Sequence, residues 1–255
     1  MNSLSGTLTD LWIATKGNFA RIRSFRRCIH AGLEIVAAEA YSAGLSLPRD
    51  LDADGWYFPD RDHALSDGFA QQVASALAES KTLNDTASMN AASLVFAHSI
   101  LDNIATECCR ISTLAAPDDW KSAIDRKEVS LADVRALSFS ELYKSKLKRY
   151  FEKEISNKSL LDRIDLINQK CQPVPSYKHE GAIFNPDSQR LREFDRARHK
   201  IIHDLSQETA RQDMDDELVF VERTSEYLMW CINKRYKIPM DIADWQARMR
   251  ERNRA

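Results

Sequence analysis

Turn-forming residues are scarce in this chain. Glycine and proline number only 7 each in 255 residues, about 5% together against roughly 12% in an average protein. Most turn-rich β architectures lose ground on that count alone. The five cysteines, Cys28, Cys108, Cys109, Cys171 and Cys231, include no CxxC pair. An odd, scattered set is neither a disulfide framework nor a zinc site, and it reads as buried or half-buried thiols in a reducing cytosol. No stretch approaches the ~18 apolar residues of a membrane span. The start, MNSLSGTLTDLW, lacks the basic and then apolar order of a secretory signal. A cytoplasmic protein is the expectation. A net charge of −2 excludes the global basic field of a non-specific nucleic-acid binder, so any nucleic-acid contact must come from a local patch. There is no Gly-rich phosphate loop, no HExxH and no GxSxG, so nucleotide-binding and serine-hydrolase chemistry have nothing to stand on.

Hydrophobic residues make up 44% and charged residues 29% of the chain, which is a core-forming composition. Glycine and proline are missing from Phe69 to Ala116, from Asp118 to Gln172 and from Asp187 to Ile238. Periodicity predicts helices over about 8–43, 62–81, 86–114, 139–156, 159–171, 186–206 and 208–237. A short helical piece is expected at Pro117-Asp118-Asp119, with its acids at the positive helix end. On the third of these, 86–114, Leu94, Ala97, Leu101, Ile104 and Cys108 share one face. Loops are expected at 51–60 and 171–186. Asn185 is the expected N-cap of the helix that follows, with Pro186 and Asp187 in its first turn. The fold class predicted is all-α, an antiparallel helical bundle. Its expected division is an N-terminal helical region at 1–83, a bundle at 84–238 and a basic tail at 239–255.

The chemically informative segment is Leu191 to Leu205, LREFDRARHKIIHDL. On a helix, Leu191, Phe194, Arg198, Ile201 and Leu205 form one stripe. Four are large and apolar; the fifth is Arg198. A guanidinium within such a stripe is costly unless an acid or a phosphate meets it. About 60–160° around the helix lie Asp195, His199, Arg192, His203 and Arg196. Histidine is the side chain that titrates near neutral pH. A plain surface helix, with Arg198 snorkelling or paired to Asp195 or Asp102, explains the same residues. A metal pair at His199 and His203 is a further reading of these residues, but it lacks obvious acidic or cysteine ligands nearby in sequence, so no metal is expected.

Arg198-His199-Lys200-Ile201-Ile202-His203 reads R-H-x-x-x-H. It resembles the signature of HEPN domains, a family of all-α ribonucleases and RNA-binding modules. Looser Arg–His spacings also occur, at Arg23/His30, Arg192/His199 and Arg196/His203. Only Arg198/His203 has both the tight spacing and a polar residue directly after the arginine. The resemblance spans residues 85–238 and implies cleavage of RNA without metal or other cofactor: the 2′-hydroxyl attacks the adjacent phosphate, leaving a cyclic phosphate and a 5′-hydroxyl. It implies His203 as general base or acid, Arg198 as phosphate holder and His199 as supporting donor. Asp102, with Glu107 as the alternative, is the candidate to orient Arg198, and Asp195 is a further supporting residue. A homodimer with a composite site is implied, as is a role in bacterial stress or anti-phage defence, with an antitoxin or regulatory protein as partner.

Arg192, Arg196 and Lys200 are candidate RNA contacts beside the motif. The runs RIRSFRR (Arg21, Arg23, Arg26, Arg27) and KSKLKR (Lys144, Lys146, Lys148, Arg149) are candidate patches, together with Arg248, Arg250, Arg252 and Arg254 of the tail. For each, a solvated helix face is the plain alternative. Tyr177 and Phe184 are candidate base stackers. The alternative function is a non-catalytic HEPN-like module that binds RNA, nucleotide or protein.

Overall fold

The computed structural model describes residues 4–45, 67–120, 139–172, 176–179, 181–204 and 214–240. The expected loop at 51–60 and the arginines of the tail lie outside them. The described chain is all-α. Helix α1 is Leu4–Leu45 and α2 is Asp67–Ala115. A 3-10 turn, Pro117–Trp120, follows. Helix α3 is Phe139–Tyr150 and widens into a π turn at Phe151–Ile155. Helices α4 (Leu160–Lys170), α5 (Ser188–Asp204) and α6 (Met214–Tyr236) complete the set.

Three cross-links fix the direction of the long helices. The Ser5 hydroxyl donates to the Pro239 carbonyl at 2.7 Å, Lys16 pairs with Glu222 at 3.0 Å, and Arg26 reaches Asp215 at 3.1 Å. Helix α1 therefore runs antiparallel to α6. Arg26 also donates to Asn90 at 2.5 Å, and Ser112 shares a 2.6 Å hydrogen bond with the Tyr236 hydroxyl. Thus α2 and α6 run in the same direction, with α1 reversed against both. One apolar core joins them: Leu8, Phe19 and Ile22 of α1 are buried with Leu101, Ile104 and Ile111 of α2 and with Leu218, Leu228 and Ile232 of α6. The core extends to Ile164 and Ile167 of α4 and to Leu191 and Phe194 of α5.

Two expected helices, 62–81 and 86–114, are one. Helix α2 runs unbroken through position 83/84, where the sequence divides the chain, and α1 shares the core of the rest. Buried Ala74, Ala87 and Met89 lie on either side of the gap expected between residues 81 and 86. The expected helix 139–156 is also not uniform: Ser156 N–H bonds to the Phe151 carbonyl at 3.0 Å, five residues back, as a π turn requires.

Local rules set the ends of the shorter helices. Ser159 caps α4 by accepting from Asp162 N–H at 3.1 Å, and its hydroxyl donates to the Asp162 carboxylate at 2.7 Å. The cap of α5 is Asp187, not Asn185. Its carboxylate accepts from Gln189 and Arg190 N–H at 2.8 and 3.2 Å, the second and third helical residues, which a side chain just outside the first turn reaches best. The segment before it is not a plain loop. Lys178–His179 pairs antiparallel with Ala182–Ile183, and Gly181, at φ +83°, takes the left-handed conformation that such a tight turn favours.

Of the thiols, Cys28 is exposed and Cys108, Cys109, Cys171 and Cys231 are buried. Burial pushes Cys109 and Cys171 up to about 12 and Cys231 to about 11, so these thiols stay protonated and unreactive at neutral pH. Among the described residues, no helix is long and apolar enough to cross a membrane.

Candidate functional site

Helix α5 presents its apolar stripe as expected. Leu191, Phe194 and Ala197 are buried, and Ile201 is half-buried against the core. Arg198 lies within that stripe and is half-buried. The acids available to it in sequence are committed elsewhere. Asp195 accepts from or shares a proton with His98 Nε2 of α2 at 2.8 Å. Asp102 bonds to Arg163 of α4, and Glu107 takes Arg110 on its own helix at 2.8 and 2.6 Å. Neither acid bonds to Arg198, because both face a different arginine. Among the described residues, Arg198 has no hydrogen bond or ion pair from its side chain.

His98 is buried and stacks on Phe194, with ring centroids 5.7 Å apart. The His98–Asp195 contact therefore pins the middle of α5 to α2 through both a polar bond and a ring face. About one and two turns farther along α5, His199 and His203 are both exposed, and their rings meet at 4.2 Å between centroids. Arg192, Arg196 and Lys200 are exposed on α5 as well. None of the three has a side-chain partner among the described residues. The anchored helix thus offers one half-buried guanidinium and a run of exposed donors without side-chain partners among the described residues. That set is suited to a phosphodiester: a bidentate grip from Arg198, and imidazoles able to take or give a proton.

Two expected RNA features fold inward instead. In RIRSFRR, Arg26 is buried between Asn90 and Asp215, and Arg23 is bonded to Glu222. Only Arg21 and Arg27 remain exposed. In KSKLKR, Lys148 and Arg149 are exposed, and Lys148 pairs loosely with Glu152 at 3.8 Å. Lys146 is half-buried with an interaction of its own, and the side chain of Lys144 lies outside the described residues. Tyr177 and Phe184 do not project as base stackers. Tyr177 packs against Phe184, Tyr227 and Trp230 at 6.2, 6.2 and 5.6 Å, and its hydroxyl donates to Glu226 at 2.7 Å. Phe184 packs on Phe220 at 6.3 Å.

Glu226 also takes Lys16, and Glu222 takes Lys16 and Arg23. Burial works against the Lys16 ammonium, but bonds and charges from Glu226 and Glu222 outweigh it, and its pKa is raised. Burial likewise opposes ionised Glu222, yet Arg23 and Lys16 prevail and its pKa is lowered. This closed network ties α1 and the β turn to α6.

Sequence reasoning missed His98, Arg163 and Glu226. Arg163 carried a readable signal, since it interrupts the apolar stripe of Leu160, Ile164 and Ile167 as Arg198 interrupts its own. Compared with family models, with curated proteins and with solved structures, the chain matches none.

Proposed function

We propose that the chain is a metal-independent endoribonuclease of the HEPN type. The observation that carries this reading is Arg198: half-buried, without a side-chain partner among the described residues, and followed on the same helix by exposed His199 directly after it and exposed His203 five residues on. A guanidinium left without an acid beside a core stripe is costly to the fold unless an anion meets it. A backbone phosphate of RNA is such an anion.

In the proposed reaction, Arg198 holds the scissile phosphate by two of its N–H groups. The RNA 2′-oxygen bonds to phosphorus as it loses its proton, and the bond from phosphorus to the 5′-oxygen breaks as that oxygen gains one. His203 serves as the base or the acid, and His199 supports the developing charge. The donors lie on an open helix face, so a second copy of the chain completes the site as a homodimer, supplying the other proton-transfer group. His98 and Asp195 fix α5 on α2 and so set the direction of Arg198. The biological setting in this reading is bacterial stress or anti-phage defence in the cytoplasm, with activity restrained by a regulatory protein of antitoxin type.

The test is RNA cleavage in EDTA, with His203→Ala as comparison. Cutting by the wild type that vanishes in the variant, with cyclic-phosphate ends, supports the assignment. Wild-type-like cutting by the variant removes it. A second reading is favoured by the exposure of Arg192, Arg196 and Lys200: an open cationic stripe suits a module that binds the RNA backbone without cleaving it. Retained RNA binding with no product from the wild type selects that reading.

A further inference from the structure

Side chains four residues apart on a helix stand on the same face, with Cβ atoms about 5–6 Å apart. His199 and His203 have this spacing, are both exposed, and already bring their rings to 4.2 Å between centroids. A tetrahedral zinc ion binds imidazole nitrogens at about 2.0–2.1 Å, which places two such nitrogens roughly 3.3 Å apart. Rings already in contact reach that separation by side-chain rotation, without moving the backbone. His203 also lies in the last turn of α5, where the negative end of the helix dipole favours a cation.

Opposing this, α5 carries Arg192, Arg196, Arg198 and Lys200 around the pair. Their repulsion weakens any bare charge held there. A hard cation such as Mg2+, bound mainly through charge and oxygen ligands, gains little from two imidazoles. A borderline transition cation gains a coordinate bond from each nitrogen and tolerates the field better. No third histidine, cysteine or acid converges on the pair among the described residues. Water must fill the remaining positions, and the ion stays exchangeable.

We propose that His199 and His203 form a two-histidine site for a divalent transition cation of the Zn2+, Ni2+ or Cu2+ type. The site has no structural role, because both rings stand on the surface and the helix is complete without the ion. Its occupant ties up the nitrogens of His203. Resting on the reading of His203 as a proton-transfer group, the same ion is an inhibitor of RNA cleavage: it does not supply the chemistry but blocks it.

The experiment is titration of the full chain with Zn2+ alone, followed by calorimetry and by the imidazole NMR signals. Saturable binding at one ion per chain is expected, with the signals of His199 and His203 moving together. His199→Ala and His203→Ala should each remove the two-point attachment and weaken binding by about 100-fold. Cu2+ should bind tighter than Zn2+, and Mg2+ should not compete. No saturable binding, or binding that both variants leave intact, overturns the site. These readouts need no catalysis. A wild type that binds Zn2+ and never cuts RNA leaves the site standing and removes the nuclease. A wild type that cuts equally well with the site filled overturns the inhibition.

Discussion

Two arginines interrupt apolar helix stripes in this molecule, and they are resolved in opposite ways. Arg163 of α4 sits among Leu160, Ile164 and Ile167, and it is buried. It bonds to Asp102 and donates to the Thr106 hydroxyl at 2.7 Å, both on α2. Arg198 of α5 sits among Leu191, Phe194, Ala197 and Ile201, is only half-buried, and has no such acid among the described residues. The sequence signal is the same in the two helices. A buried guanidinium with its acid is a strut between helices. A half-buried one without an acid keeps its donors free toward solvent or an anion.

The contrast breaks most sharply in activity. Arg198→Ala should lower RNA cleavage by about 100–1,000-fold, the usual cost of losing one preorganised donor to transition-state charge. Its thermal stability should move by no more than about 0.5 kcal/mol, because no described partner is orphaned. Arg198→Lys should recover little activity, since an ammonium cannot grip a phosphate in two places. Full activity in Arg198→Ala would return Arg198 to the class of ordinary snorkelling side chains.

Arg163 should behave in the reverse manner. Asp102→Ala leaves a buried guanidinium with Thr106 alone. Full loss of a buried partner costs about 3–5 kcal/mol, and partial exposure of Asp102 reduces this to about 2–3 kcal/mol. Arg163→Met, which removes the charge and keeps much of the volume, should cost less. Denaturant unfolding measures both. If Asp102 instead served Arg198, Asp102→Ala would lose cleavage at unchanged stability, and the division between the two arginines would fail.

The same pair shows how far the sequence could be read. The all-α class followed from scarce glycine and proline, because few residues were available to turn a β meander. The stripe of α5 followed from spacing alone. What spacing cannot show is which acid a buried arginine meets, since Asp102 lies 61 residues from Arg163 in the chain. The resemblance implies Asp102 as partner of Arg198, and the fold gives it to Arg163 instead. The break near position 83 failed for a related reason. Periodicity marks two stretches, 62–81 and 86–114, whereas α2 is one helix packed along α1. Tyr177 looked available for stacking because a loop was expected around it. The β turn and Glu226 instead draw it inward. The motif histidines, by contrast, needed no tertiary partner to be placed, and their shared face is a property of the helix itself.

A smaller effect is expected in the network of Lys16, Tyr177, Glu222 and Glu226. Tyr177→Phe removes one hydrogen bond to Glu226 and should cost about 1 kcal/mol at pH 7. Burial first, and then the bond and charge of Glu226, raise the Tyr177 phenol above its ordinary 10.0. A raised folded value gives a contribution that is whole below 10.0 and lost as pH climbs toward the folded value. Lys16, raised from 10.5, loses its contribution in the same direction. Glu222, lowered from 4.5, contributes above that value and loses its part as pH falls through the folded one. The gap in stability between wild type and Tyr177→Phe should therefore close above pH 10 and stay constant from pH 6 to 9. A gap that widens in alkali would mean the phenol is not held in its protonated form.

The least effect on the fold, and the finest test of the α5 face, comes from Arg196→Ala. Arg196 is exposed and has no side-chain partner among the described residues, so stability should change by less than about 0.5 kcal/mol. If its guanidinium meets an RNA phosphate, binding should weaken by a similar factor for unrelated RNA sequences. The slope of log affinity against log salt should also fall by roughly one unit, as one fewer counterion is released. Arg149→Ala on α3 supplies the matched control: it removes an equally exposed arginine from a different helix. A change in salt slope for Arg196 alone would place RNA along α5. Equal changes for both would extend the contact to α3, and no change for either would confine any phosphate contact to Arg198 and its immediate neighbours. That last outcome would leave a binding face too small to hold a long RNA without the second copy of the chain.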